Sequence, residues 1–293
     1  MGIGEWSALG CAVAWAVSVI FFKRVGASVN PFSLNLFKNT LGLILFIPTW
    51  AILGPWPVDL PATRDVLLLL LSGFLGIAVA DTIFLRGLNL TGAGLTAVVE
   101  CLYSPFVLLF SWTFLGERLQ GKQLMGAGLV LAAVLWASLD GLRIRQKPKS
   151  LMVGAGLVAL SMFLMAVGIV IAKPVLPHLP LLFAVEIRLV AGTLGLWMLV
   201  PVVGLGRAKP LHFLKTRHWR SLVIGSFVGA YLSMVLWLAG VKETQASVAA
   251  VLNQTSTLFT LLLAALFLGE PLTRGRVAAA LLATGGVVLM TLT

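Results

Sequence analysis

Five ionisable side chains, Lys38, Asp81, Glu100, Glu186 and Arg188, lie inside runs that are otherwise almost wholly apolar. Charges in such runs are costly, and they mark either a function or a partnered structural bond. Lys38 and Arg188 stand 150 positions apart and occupy equivalent places in the two halves of the chain. Two such cations suit recognition of an anionic group, a carboxylate or a phosphate. The plainer alternative for them is snorkelling or a structural ion pair. Glu100 falls near the middle of its run, where a carboxyl is placed to bind and release a proton. Its alternative role is a neutral acid hydrogen-bonded between helices.

The residue 153 positions beyond Glu100 is Asn253, and the surroundings of both are polar. Tyr103 and Ser104 follow Glu100, and Gln254, Thr255 and Ser256 follow Asn253. Trp15 and Tyr231 are candidates for aromatic walls of the same site. Asp81 is a further candidate acid; about 140° of helix separates it from Arg86, which disfavours that pairing. Glu186 and Arg188 are two residues apart, about 200° around a helix, and cannot pair with each other. Catalytic constellations are missing from the sequence: it has no His-Glu-x-x-His, no Gly-x-Ser-x-Gly and no Walker loop. The polar residues therefore read as a path or binding site for a solute rather than as catalytic groups. No cofactor or metal is expected. Cys11 and Cys101 read as small buried hydrophobes.

The elements that position these residues follow from composition. Hydrophobic residues make up 59% of the 293 positions and charged ones 11%, with a mean hydropathy of +1.04. A soluble domain carries about 25% charged residues, so this chain has too little polar surface for water and its solvent is lipid. A net charge of +11 then belongs to membrane loops, not to a nucleic-acid surface. Gaps between charges, taken with the need of about 20 apolar residues per crossing, predict ten spans. They cover about 4–22, 32–53, 66–87, 91–115, 120–140, 151–173, 181–203, 219–240, 245–268 and 274–292. The first lacks a basic leader region and is followed by Lys23-Arg24, so it reads as a span rather than a secretory signal. Lys38 and Arg188 each sit about four residues, roughly 6 Å, from the middle of a span.

The chain also repeats. A shift of 153 aligns Gly87–Leu119 with Gly240–Leu272, with thirteen of 33 positions identical, including Phe-Leu-Gly-Glu at 114–117 and 267–270. The same shift pairs Ser72-x-x-x-Gly76 with Gly225-x-x-x-Gly229, small-residue patterns that let helix backbones approach. Two five-helix repeats are predicted, 1–143 and 150–293. Because five is odd, the second enters the bilayer from the opposite face. The predicted fold is thus all-α, with ten transmembrane helices as two inverted five-helix repeats, the architecture of alternating-access transporters. Glu117 and Glu270, ending equivalent helices, are expected to bind the N-terminus of the helix that follows each.

Several of these residues carry a family resemblance. Trp15 with Lys23 after it, the pattern Gly87…Thr91…Ala97…Pro105…Leu115-Gly-Glu, its second copy Gly240…Thr244…Ala250…Leu268-Gly-Glu, and the glycines Gly126 and Gly285-Gly286 resemble the EamA group of the drug/metabolite transporter superfamily. The second copy has Leu258 where the family favours Pro, and Lys38 replaces an Arg expected in the first repeat. The resemblance implies a secondary transporter in the cell membrane that exports or exchanges a small metabolite, such as an amino acid or organic anion, with protons as a candidate coupling ion. Nucleotide-sugar or sugar-phosphate exchange is the alternative within the superfamily, and an intramembrane enzyme or scaffold a remote one. The expected partners are the solute and the lipid bilayer; an oligomer is not required, since both repeats lie in one chain. The basic loops at 142–149 and 207–220 predict a cytoplasmic face, with the termini opposite.

Overall fold

A computed structural model describes the chain except for residues 1, 54–60, 117–120, 145–147, 205–208, 245–248, 250–251 and 292–293. Glu117 and most of the 142–149 loop's side chains thus lie outside the described residues, which are helical with no strand among them. The helices are α1 (Ile3–Val25), α2 (Pro31–Leu53), α3 (Thr63–Gly73), α4 (Asp81–Thr91), α5 (Ala93–Glu100), α6 (Tyr103–Leu115), α7 (Gly121–Ile144), α8 (Pro148–Ala172), α9 (Leu181–Gly204), α10 (Trp219–Ser226) and α11 (Ser233–Glu243), followed by Ser256–Leu268 and Arg274–Thr291. Six helical segments of 23–29 residues are long and apolar enough to cross a bilayer among the described residues. The chain is a multi-pass membrane protein.

Two features of the backbone go beyond simple spans. Phe74–Ala80 joins α3 to α4 as a π-helix, and Phe227–Leu232 joins α10 to α11 in the same way. Each loosens the ladder, so that Asp81 N–H bonds to Gly76 O and Ser233 N–H to Val228 O, five residues back rather than four. The predicted span 91–115 is also broken. Gly92 (φ 86°) separates α4 from α5, and a turn at Cys101–Leu102 separates α5 from α6. Pro105, in the first turn of α6, has no N–H to bond back to Cys101 O, and its ring would collide with that carbonyl in a continuous helix. A matching turn at Thr255, with Leu258 in place of proline, instead has Thr255 Oγ1 bonded to Leu252 O at 2.7 Å.

Glycines set the closest helix crossings, and these crossings join the two halves of the chain. A Cβ built on Gly87 of α4 would fall 2.6 Å from Val158 Cγ2 of α8, and one on Gly240 of α11 would meet Ala8 of α1 at 3.2 Å. Gly192 of α9 faces Ile77 in the first π-helix, and Gly42 of α2 faces Ala230 in the second. Gly286 packs on Gly126 O, bringing Arg274–Thr291 against α7. Half-buried lysines cap helix ends at equivalent places: Lys23 Nζ donates to Leu88 O and Asn89 O, and Lys173 Nζ to Val241 O and Thr244 O. Asn30 donates to Lys209 O at 2.7 Å and Ser33 accepts from Phe213 N. The basic 209–218 segment is thereby tied to the start of α2.

Glu270 departs from expectation. Its carboxylate accepts the N–H groups of Ala93 (2.8 Å) and Gly94 (3.0 Å), so it caps α5 in the other half of the chain rather than the helix that follows it. The following helix begins with Arg276 bonded to Thr273 Oγ1 and Pro271 O, so its first turn is served locally, and the acid, 4.0 Å from Arg276 Nη1, serves the buried first amides of α5.

Candidate functional site

The helix breaks and π-helices surround a cavity of about 120 Å³. Eight of the ten residues singled out in the sequence line it: Trp15, Lys38, Asp81, Glu100, Tyr103, Arg188, Asn253 and Gln254. The backbone explains why they converge. Glu100 is the last residue of α5 and Tyr103 the first of α6, so the break carries both to the cavity wall. Gly76 and Gly229, one from each π-helix, add walls without side chains.

Glu100 is 5% exposed. Trp15 Nε1 donates to its Oε1 at 2.8 Å, and Gln254 Nε2 donates to its main-chain carbonyl at 3.1 Å. That carbonyl belongs to a helix terminus and lacks an intrahelical donor, so glutamine across the interface satisfies what the break exposes. Among the described residues, Glu100 Oε2 has no partner, nor has Asn253 Oδ1 or the neighbouring Ser104 Oγ. Thr257 Oγ1 bonds Ala97 O at 3.0 Å and closes the same pair of broken helices further along.

On the other side of the cavity, Lys38 forms an ion pair with Asp81, both of them buried. A structural ion pair is the plainer reading of Lys38 in the sequence, and the π-helix places Asp81 opposite α2, where Lys38 stands. Arg188 is 3% exposed, with its guanidinium 5.4 Å from the centre of the Trp237 ring. It donates to Ser72 Oγ, which itself donates to Gly168 O at 2.5 Å. Among the described residues, Arg188 Nε has no partner. Buried polar groups are nearly always hydrogen-bonded. A carboxylate oxygen, an amide oxygen and a guanidinium N–H left over around one cavity are therefore groups suited to a polar guest.

Two candidates lie elsewhere. Tyr231 Oη shares a hydrogen bond with Thr49 Oγ1 at 2.6 Å, and its ring packs on Phe46 and Phe227. Glu186 is only partly buried and is not among the cavity residues, as its position around α9 from Arg188 requires. Conversely, Trp237, Ser72 and Met162 were not foreseen. Trp237 carries a signal, a tryptophan in the second-half segment matching the helix of Asp81; Ser72 reads in the sequence only as a packing residue. Cys11 and Cys101 are buried and unbridged, as expected. Cys11 nevertheless touches the cavity and meets Ser233 Oγ at 3.4 Å.

The profile of the EamA-like transporter family matches residues 2–139 and 152–292. The chain belongs to that family. Among relatives, an uncharacterized transporter of Methanothermobacter thermautotrophicus is 25% identical over 209 residues, which is 71% of this chain and 59% of that protein. The chain therefore spans somewhat over half of that relative's length. An uncharacterized transporter in the cobO 3′ region of Sinorhizobium sp is 30% identical over 132 residues, 44% of this chain and 92% of the relative. A protein of known crystal structure superposes with a TM-score of 0.72 over 99% of this chain and 96% of its own length, at 18% identity. That likeness shows a common fold.

Proposed function

We propose that this EamA-family chain is an alternating-access secondary transporter of a small polar metabolite, an amino acid or organic anion, and that the buried cavity is its solute site. In this reading the helices form ten crossings in two inverted five-helix repeats, 1–143 and 150–293, in the cell membrane. The observation that carries the proposal is the set of unpartnered polar atoms, Glu100 Oε2, Asn253 Oδ1 and Arg188 Nε, at one cavity between the halves. Broken helices whose ends meet mid-chain are the usual way in which a transporter presents polar backbone to a solute without exposing it to lipid. The pairing of both π-helices and both helix breaks across a shift of 153 positions supports the two-repeat reading. A cavity of about 120 Å³ is small beside the roughly 300–1,000 Å³ of pockets for drug-sized ligands, which favours a small solute over a nucleotide sugar.

Arg188 holds the anionic group of the solute in this mechanism, and Lys38 supports it from the opposite half. Glu100 carries the proton, with Trp15 fixing one carboxyl oxygen and the other free to face the solute. The test is flux into proteoliposomes from a panel of amino acids, organic anions and sugar phosphates, with and without a pH gradient. Accumulation of a small anion or zwitterion driven by the gradient is expected. Glu100→Gln should keep solute exchange and lose gradient-driven accumulation. Failure to move any member of the panel under any gradient would overturn the transporter reading, and undiminished uphill transport by Glu100→Gln would remove Glu100 from the coupling step.

A further inference from the structure

The two π-helices are equivalent in place but not in what they present. Asp81 follows the first directly, whereas Met234 stands 153 positions beyond Asp81 in the second half. A π-helix accommodates one more residue than the α-helical path it interrupts. Removing that extra residue would turn everything beyond it by about 100° and move it about 1.5 Å along the axis. The direction of the Asp81 side chain therefore depends on the register of Phe74–Ala80.

One side chain is placed to hold that register. Asn35 is fully buried in α2, and its Nδ2 lies 2.8 Å from Ile77 O and 2.8 Å from Thr82 Oγ1. It thus bridges a carbonyl within the π-helix and a side chain in the α-helical turn after it. Thr82 Oγ1 continues the link by donating to Ala78 O at 2.7 Å. Asn39, one turn along α2, donates to Asn35 Oδ1 at 2.7 Å and so fixes which way the amide faces. Lys38, the partner of Asp81, projects from the same turn of α2. A short stretch of one helix supplies both the register clamp and the cation.

The second half separates this role from general support of a π-helix. Ser161 Oγ of α8 donates to Ala80 O at 2.8 Å, and Cys11 Sγ of α1 donates to Ser233 O at 3.4 Å, so each π-helix receives one such bond from a neighbouring helix at an equivalent position. Asn35 has no such counterpart: the residue 150 positions on is Val185. The additional clamp and the carboxylate occur together in the first half, and both are replaced by apolar residues in the second.

We infer that Asn35 is a positioning residue, which locks the π-register of Phe74–Ala80 so that Asp81 meets Lys38 at the wall of the solute cavity. The inference rests on the transporter reading only for its consequence in transport, and it is tested without any solute. In lipid-reconstituted protein labelled with 13C and 15N, dipolar recoupling between Asp 13Cγ and Lys 15Nζ reports the Lys38–Asp81 contact, assigned by its disappearance in Asp81→Asn. Asn35→Val copies the second half; it should abolish this signal while the protein stays folded and monodisperse. Should valine prevent folding, Asn35→Ser, too short to reach both partners, takes its place with the same expectation. Leu69→Ala, a core truncation remote from the clamp, should leave the signal intact. Retention of the contact at wild-type strength in the Asn35 variant, or its equal loss in Leu69→Ala, would overturn the assignment. Loss of the contact alongside an inert flux panel would instead leave the clamp standing and the transporter reading refuted.

Discussion

Replacing Trp15 by Phe removes the indole N–H that holds Glu100 Oε1 at 2.8 Å and leaves both oxygens of that carboxyl without a protein donor. The ring contact with Phe84, 5.6 Å between centroids, is largely kept, so the chief loss is the hydrogen bond. A bond to a charged acceptor contributes about 1.5–3 kcal/mol and one between neutral groups about 0.5–1.5. In a Glu100→Gln background the indole still meets a neutral carbonyl. The two effects should therefore be coupled by about 1 kcal/mol, between the average of about 0.6 and the maximum of about 1.7 kcal/mol for hydrogen bonds in a membrane bundle. The double-mutant cycle of Trp15→Phe with Glu100→Gln, read by reversible unfolding in mixed micelles in alkaline buffer, measures this coupling directly. Unfolding free energies that add to within about 0.3 kcal/mol would show that Trp15 does not hold the carboxylate, and the assignment of Glu100 Oε2 as the free, solute-facing oxygen would fall with it.

Loss of one charged partner of a bound anion should cost about 1.5–3 kcal/mol, so Lys38→Met and Arg188→Met should each weaken solute binding by roughly 10–150-fold in a thermal-shift titration. Arg188→Lys should also weaken it, because a planar fork becomes a point charge; wild-type affinity in both methionine variants would end the anion-site proposal. Gly192→Ala would set a Cβ 2.5 Å from Ile77 Cβ and Cγ2, and the overpacking should lower stability by about 1–3 kcal/mol. Gly156→Ala meets nothing within 4 Å and should be neutral or stabilising, and equal melting temperatures for the two variants would refute that packing argument. Lys209→Cys, at an exposed position in the basic connector, should resist an impermeant thiol reagent added outside intact cells; labelling there would reverse the expected orientation.

Spans are legible in this sequence because a charge in lipid is so expensive that its spacing marks every helix end. That rule delivers α1, α2, α8 and α9 to within a few residues of their observed limits. It is silent on what happens inside an apolar run. Whether Asp81 bonds four or five residues back is decided by donors on other helices, such as Asn35 and Ser161, and not by the hydropathy of Phe74–Ala80. Pro105 was visible, yet the break it marks has a twin at Thr255 with no proline at all. The cavity residues were found chiefly by charge and symmetry. Asn35 and Ser72, which support the cavity wall without lining it, are not legible because a neutral polar residue in a span carries no comparable penalty, and Tyr231 is misassigned because an aromatic ring has no sequence mark that separates packing from lining.

The crossings through Gly87, Gly240 and the Glu270 cap bear on how the chain is made. The amides of Ala93 and Gly94 enter the membrane 177 and 176 residues ahead of the carboxylate that will satisfy them. At a synthesis rate of about 5–20 residues per second, that delay is on the order of 9–35 s. Gly87 likewise meets its neighbour Val158 only after the next helix hairpin has been inserted. Throughout that interval the early helices present glycine-lined grooves and bare amides to whatever surrounds them. The contacts that join the two halves therefore form only after the second half has been made.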